Sequence, residues 1–242
     1  MSARFPTTQW SRVLAARNRT DSDARKALET LCQTYWHPLY AFVRRRGHDP
    51  DAARDLVQGY FAELLEKDFL KDVAPELGRF RSFLLVSLKN FLSHERDRAR
   101  ALKRGGDVQV ISLDDASTRN VAEASVEHMT PEQVFERQWA LTVLDQALER
   151  LRQEARESRG EARFEALKPY LTGHAGPTPY GEAAERLGMS EGSVRAAVLR
   201  LRKRFGRALR AQIAETVADP GEVDDEIRRM LSVIRPWQGL PP

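Results

Sequence analysis

Residues 180–209 read YGEAAERLGMSEGSVRAAVLRLRKRFGRAL, two segments of helical periodicity separated by one glycine. Gly188 is suited to end the first helix, because a left-handed backbone conformation costs glycine little. Ser190 is suited to cap the second helix through its hydroxyl. The inward positions of the two segments are small or apolar: Ala183, Leu187, Met189, Val194 and Ala197. This spacing is typical of a helix-turn-helix, whose second helix enters the major groove of DNA.

The second helix of the pair is strongly basic, with seven Arg or Lys residues and no acid between positions 195 and 210. Its apolar stripe leaves an outward face formed by Arg195, Ala196, Arg200, Lys203 and Arg207. Arginine bonds guanine bidentately, so Arg195 and Arg200 are candidates for base contacts, whereas the later cations suit phosphates. The alternative is a solvated basic face. The glycine turn and the serine cap favour DNA binding over that alternative.

The rest of the chain indicates an all-α protein, because glycine and proline are sparse in the periodic segments and no alternating strand pattern persists. At 242 residues the chain has room for one large or two smaller domains. Its single cysteine, Cys32, excludes an internal disulfide and a cysteine-based metal site. No apolar run long enough for a transmembrane helix and no apolar signal core occur, so we expect a cytoplasmic protein without a membrane partner.

Two further helices carry unusual exposed faces. The segment DPDAARDLVQGYFAELL has a wide apolar stripe, and its opposite face is formed by Asp55, Gln58, Gly59 and Ala62. That face is small and suits close docking of a partner helix, although spacing alone favours a plain solvated face. A long helix is predicted from about Phe80 to Lys103, with eight basic and two acidic residues between positions 79 and 104. Its cations Lys89, Arg96, Arg100 and Arg104 form a line that matches successive phosphates.

The segments between and after these helices define the predicted domains. Residues 105–130 contain five acids and one arginine and have no sustained helical period, so they are predicted to be an acidic linker. The predicted organisation is a helical domain at 1–104, this linker, a helix-turn-helix domain at 131–214 and a tail at 215–242. Within the tail, one short amphipathic helix is expected to turn its apolar side inward through Val223, Ile227, Leu231 and Ile234.

Nothing in the sequence indicates an enzyme. The five histidines are scattered without metal-ligand spacing. There is no phosphate loop, dinucleotide fingerprint or nucleophile elbow. Cys32 lies on or beside the apolar face of its helix, so it is predicted to be packed rather than reactive. We therefore expect no catalytic residue, no metal and no cofactor.

The order of the parts resembles a bacterial RNA polymerase sigma factor of the extracytoplasmic-function (ECF) group, over roughly residues 25–105 and 131–212. Asp55, Gln58 and Phe61 stand on the D-x-x-Q-x-x-F pattern of the family's core-binding helix. RFRSFLLVSLKNFL is similar to the helix that opens and reads the −10 element, and YGEAAERLGMSEGSVRAAVLRLRK to the −35 helix-turn-helix. The resemblance implies two small all-α domains, region 2-like and region 4-like, joined by the linker.

The resemblance also implies a function and its residues. The protein would bind the β′ clamp and β subunits of core polymerase, recognise −35 and −10 promoter DNA, melt the duplex and initiate transcription of a specific gene set. Polymerase binding would involve Asp55, Gln58, Phe61 and Ala62. The −10 element would be held by Arg79, Arg81, Lys89, Asn90, Arg96 and Arg100, with the loop at 68–81 helping to hold a flipped base. The −35 element would be read by Ser190, Ser193, Arg195, Ala196, Arg200 and Lys203. An anti-sigma factor is a further partner that the resemblance allows.

Several positions depart from the family pattern. Phe83 stands where the family commonly has Trp, and Val198 to Arg202 replace the usual Leu-His-Arg-Ala-Arg. The Trp10 segment and the tail lie outside the two-domain pattern, and the tail is a candidate regulator in place of a separate anti-sigma protein. Two other functions remain open. One is a helix-turn-helix regulator with an N-terminal sensor or interaction domain, and the other is a protein-only adaptor.

Overall fold

The computed structural model describes residues 22–66, 79–103, 128–172, 180–214, 216–217 and 219–234. Every regular element in these ranges is helical, which confirms the predicted all-α class. The helices are α1 (Ser22–Arg45), α2 (Pro50–Glu66), α3 (Phe80–Lys103), α4 (Pro131–Glu157), α5 (Glu161–Leu167), α6 (Pro169–Thr172), α7 (Tyr180–Leu187), α8 (Glu191–Ala214) and α9 (Val223–Ile234), with a 3₁₀ turn at Pro220–Glu222. None of these helices is long and apolar enough to cross a membrane.

The chain divides into two compact units. Unit 1 comprises residues 1–141 and 214–242, and unit 2 comprises residues 142–213. Unit 1 therefore includes the first turns of α4 and all of α9. The predicted scheme assigns all of α4 to the second domain and separates the tail from the first. Whether the predicted domains fold independently stays a prediction.

The core of unit 1 is formed where α1, α2 and α3 pack on one another. Their buried side chains recur at helical steps and include Tyr35, Leu39, Phe42, Val57, Tyr60, Leu64, Phe80, Leu84 and Leu88. Burying each large apolar side chain contributes roughly 1.5–3 kcal/mol. The Tyr60 hydroxyl donates to the Leu84 carbonyl at 3.1 Å, so the polar end of this ring is also satisfied inside the bundle.

The ends of these helices show why they stop and start where they do. Gly47 follows α1 with φ of +92°, a left-handed conformation that suits glycine. The Asp49 carboxylate then accepts a bond of 2.8 Å from the Ala52 amide and caps α2. That bond is the main reason why the pKa of Asp49 lies below its ordinary value. At α4, Thr130 and Gln133 bond each other's backbone amides, a reciprocal capping box.

Unit 2 has its own core, to which α4, α5, α6, α7 and α8 contribute. Its buried members include Leu151, Phe164, Leu167, Tyr170, Ala183, Ala184, Val194, Val198 and Leu201. The Tyr170 and Tyr180 rings stack with centroids 5.1 Å apart. The small Ala183 and Ala184 let α7 approach its neighbours closely, so the helix-turn-helix is built into the core rather than attached to it.

The tail helix α9 forms as predicted, and Val223 is buried as expected, but Leu231 is not. Its buried residues are Val223, Glu226 and Met230, whereas Leu231 is 41% exposed. The prediction that Leu231 faces inward is wrong. The physical reason is geometric: Val223, Glu226 and Met230 recur at steps of three and four residues and share the buried side, where Glu226 pairs with arginines of unit 1. Leu231 follows Met230 by one helical step, which takes it off that side.

Candidate nucleic-acid interface

The turn between α7 and α8 is closed by backbone bonds that need a glycine. Gly188 has φ of +60°, its amide donates to the Glu185 carbonyl at 3.2 Å, and the Met189 amide donates to the Ala184 carbonyl at 2.9 Å. These two bonds form the Schellman arrangement. The Ser190 hydroxyl then accepts from the Ser193 amide at 3.3 Å and caps α8. The predicted turn and cap are therefore both present.

Replacing Ser190 by alanine is expected to lower the free energy of unfolding by about 1 kcal/mol, because the start of α8 loses its side-chain acceptor. Thermal and urea unfolding followed by circular dichroism measures the loss. Ser93→Ala is the control, since Ser93 is an exposed residue in the middle of α3, away from any helix end. Equal stabilities of the two variants would contradict a capping role for Ser190.

The outward face of α8 presents the residues predicted to contact the −35 element. Ser190, Ser193, Arg195, Arg200 and Lys203 are exposed, and Ala196 is half-buried. The Arg195 guanidinium carbon lies 5.6 Å from the centre of the Tyr180 ring. This cation–π contact joins the first exposed arginine of α8 to the start of α7, which restricts the range of positions that its guanidinium samples.

Two arginines of α8 serve the fold of unit 2 instead. Arg202 donates to the Tyr170 carbonyl at 2.9 Å, and Arg204 pairs with Glu154 of α4 at 2.7 Å. Helical periodicity leaves these two arginines off the predicted outward face, but it does not identify what they bond. Their partners lie 32 and 50 residues earlier in the chain, and periodicity carries no information about such pairs.

The exposed face of α2 borders a groove of about 670 Å³ between α2 and α3. Its lining includes Asp55, Gly59, Ala62, Glu63, Phe91, Glu95 and Arg98. A Cβ added at Gly59 would lie 3.4 Å from the tip of Phe91, an ordinary contact distance. Packing of α2 on α3 therefore does not require glycine there. Because glycine has no side chain, Gly59 instead leaves the groove open.

Four residues of α2 are predicted to bind polymerase, and the structure separates them by exposure. Asp55, Gln58 and Ala62 are exposed, while Phe61 is only 8% exposed. Phe61 therefore supports this face from the core side.

The α2 groove is net acidic. It carries the carboxylates of Asp55, Glu63 and Glu95, and Arg98 is the one cation among its described lining residues. An acidic face attracts cations and repels phosphates, so it suits a basic protein surface rather than DNA.

Along α3, the predicted −10 residues occupy two different environments. Asn90, Arg96 and Arg100 are exposed. Lys89 is partly exposed, and its ammonium pairs with Glu132 of α4 at 2.7 Å. The hydrogen bond from Lys89 is the main reason why the pKa of Glu132 is lowered. Arg104 and residues 68–78 of the predicted loop at 68–81 lie outside the described residues.

A second groove, of about 310 Å³, opens beside Asn90. It lies between α2 and α3 and is lined by Tyr60, Glu63, Leu64, Phe83, Val86, Ser87, Asn90, Phe91, His94 and Arg98. Val86 is 59% exposed, so the rim is apolar next to the Asn90 amide. An aromatic wall, an apolar rim and one amide are groups that stack on a nucleobase and bond its edge.

The N-terminal end of α3 holds the remaining two predicted −10 residues in an ionic cluster. Arg81 is 2% exposed and donates from Nε to Glu136 at 2.9 Å and from Nη1 to Glu226. Its guanidinium carbon also lies 4.3 Å from the centre of the Trp139 ring. Arg79 Nε lies 3.0 Å from the second oxygen of Glu226. Two carboxylates and an indole ring thus surround the Arg81 guanidinium.

Catalytic features are not seen in the part of the chain that the structure describes. No group of three His, Cys, Asp or Glu side chains there is arranged to hold a metal ion. Cys32 is half-buried, and burial raises the pKa of its thiol, which disfavours the nucleophilic thiolate.

Comparison with known proteins identifies the family. The family model for ECF sigma factors matches residues 9–211, which is most of the chain. No curated protein and no solved structure is significantly similar to this chain. ECF sigma factors are non-enzymatic initiation factors that generally bind RNA polymerase core and promoter DNA. With a basic helix-turn-helix in unit 2 and a basic helix beside an acidic groove in unit 1, the chain belongs to the ECF sigma factor family and acts in transcription initiation.

Proposed function

We propose that this sigma factor binds polymerase core through the α2 face, reads a −35 element with α8 and opens a −10 element with α3. The observation that carries the proposal is the segregation of charge between faces. The α2 groove is net acidic, while exposed cations lie along α3 and on the outward face of α8. A regulator that binds only duplex DNA needs the α8 face and has no use for the other two.

The polymerase contact is supported by the shape and sign of the α2 groove. Its floor is small at Gly59 and Ala62, so the backbone of a partner helix can approach closely. Exposed Asp55 and Gln58 stand beside that floor as an anion and a hydrogen-bonding amide. A basic helical surface of the β′ clamp is the partner of matching chemistry.

Duplex recognition is supported by the position of two arginines near the start of α8. The cap and the turn fix where this helix begins, and Arg195 and Arg200 lie on its exposed side within the first three turns. Helix-turn-helix proteins contact base edges with the N-terminal residues of the recognition helix. These two arginines are therefore the proposed base contacts.

The other exposed residues of α8 are suited to the DNA backbone. Ser190 and Ser193 lie at the N-terminal end, where the helix dipole favours anions such as phosphates. Lys203 lies about two turns beyond Ala196, where a contact with the DNA backbone is expected rather than one with base edges. These contacts would position α8 on the duplex while the arginines read its sequence.

Strand opening is supported by the groove beside Asn90. Extruding a base from the duplex costs a few kcal/mol, which stacking and hydrogen bonds in a pocket must offset. Phe83 and the exposed Val86 offer the apolar surface, and the Asn90 amide offers a donor and an acceptor. Arg96 and Arg100 lie roughly two and three turns further along α3, where they would hold the phosphates of the displaced strand.

An open-complex assay tests the proposed function. A template is first selected from random duplexes by transcription with bacterial core polymerase and this protein, and unpaired thymines are then probed with permanganate. We expect reactive thymines near −10 only when both core and the protein are present. Duplex binding without core, and no melting with it, would instead identify a helix-turn-helix regulator.

A further inference from the structure

We infer that α9 is a releasable latch, which covers Arg79 and Arg81 in the free protein and must leave them before they can bind −10 DNA. This inference rests on the proposed function, because it takes these two arginines to be DNA contacts. The partner that displaces α9 is the phosphate backbone of single-stranded DNA. The latch is built from this chain's own tail, which lies beyond the segment that the family model matches.

The ionic contact is the centre of the latch. Glu226 is fully buried, and its two oxygens face Arg81 and Arg79. The contact with Arg79 has the distance of an ion pair, 3.0 Å, but not the alignment of a hydrogen bond, so Glu226 Oε2 is incompletely satisfied. One carboxylate of the tail thus occupies two cations that are 145 and 147 residues away in the sequence.

Apolar contacts hold the same helix in place. Met230 is 1% exposed and Val223 is 8% exposed, and both lie on the side of α9 that carries Glu226. The opposite side is solvated, with Asp225 and Arg228 paired to each other. A helix of 12 residues is marginal by itself in water, so α9 depends on this docking for its order.

The energetics of the buried charges allow α9 to be released. Taking a carboxylate and a guanidinium out of water offsets much of their attraction, so a buried ion pair adds little net stability. A DNA phosphate offers the same bidentate acceptor to arginine. Exchange of the Glu226 carboxylate for a phosphate therefore keeps the arginines paired while the carboxylate regains its hydration.

Binding of single-stranded DNA to the full-length protein tests the latch. The probe is a labelled pool of random single strands of about 20 nucleotides, roughly the span of one to two single-strand binding sites. The variant is Met230→Asp, which removes the buried apolar contact of α9. We expect affinity to rise about tenfold, as for a binding-competent state that is roughly one tenth populated in the parent.

Two matched variants control this result. Leu231→Asp places the same charge on the next residue, whose side chain is exposed, and should leave the affinity unchanged. Glu226→Gln should raise the affinity as Met230→Asp does, whereas Asp225→Asn, an equal change of charge at an exposed site, should not. Circular dichroism verifies that each variant keeps the helices other than α9, whose 12 residues are expected to lose helical signal when α9 is released. An equal affinity of Met230→Asp, Glu226→Gln and the parent would overturn the latch.

A further substitution separates failure of the latch from failure of the proposed function. Arg79→Ala is combined with Met230→Asp, so that α9 no longer competes for the arginine. If this change weakens DNA binding but release of α9 never strengthens it, the arginines bind DNA and the latch is wrong. If Arg79→Ala has no effect in the released protein, Arg79 is not a DNA contact, and both the latch and this part of the −10 assignment fail.

Discussion

Trp139→Ala is expected to lower the free energy of unfolding by about 3–5 kcal/mol, the usual cost of deleting a large buried aromatic side chain. Trp139 is 1% exposed, and the Arg81 guanidinium lies 4.3 Å above its ring. The substitution therefore leaves a cavity and also removes a cation–π contact from the ionic cluster. Urea unfolding followed by far-ultraviolet circular dichroism measures the loss.

Trp36→Ala is the matched control, because Trp36 is only half-buried and stacks on Tyr40 near the surface. Its cost should be clearly smaller. A loss below about 1 kcal/mol for Trp139→Ala would mean that the site collapses without a cavity, and the assignment of Trp139 as a central core residue would be wrong.

Asp55→Arg is expected to weaken binding to polymerase core by at least about a hundredfold, since like charges at an interface cost several kcal/mol. The substitution reverses the charge at the edge of the acidic groove and places a long side chain over the small floor formed by Gly59 and Ala62. Competition with a labelled sigma factor for core polymerase measures the change.

Asp145→Arg makes the same change at an exposed position of α4 in unit 2 and should leave core binding unaltered. Asp55→Asn is the milder variant and should give an intermediate loss. If Asp55→Arg binds core as well as Asp145→Arg does, the α2 face is not the polymerase contact, although membership of the family would be unaffected.

Local features of this fold could be predicted from the sequence because they depend on neighbouring residues. The start of α3 at Phe80 follows from an apolar period over residues 80–92, and its end at Lys103 from the Gly105-Gly106 pair that closes the basic stretch after it. Gly188 and Ser190 identify the turn and the cap of the helix-turn-helix, since the left-handed conformation and the capping hydroxyl each require particular residue types.

Features that depend on distant pairs were not predicted. The apolar side predicted for α9 includes Leu231, which is exposed, and leaves out Glu226 and Met230, which are buried. The arginines that pair with Glu226 lie at the start of α3, far away in the sequence, and the helical period of α9 carries no information about them. The roles of Arg202 and Arg204 in unit 2 were missed for the same reason, because their partners are set by tertiary packing.

The short connection between α8 and α9 determines how the tail competes with other ligands. Eight residues separate Ala214 from Val223, so a detached α9 stays within about 28 Å of the end of α8. One α9 confined to a sphere of this radius has an effective concentration on the order of 10 mM. Because every copy of the protein carries its own α9, making more of the protein in the cell would not relieve the latch. A separate inhibitor protein, in contrast, would be outnumbered by the same rise.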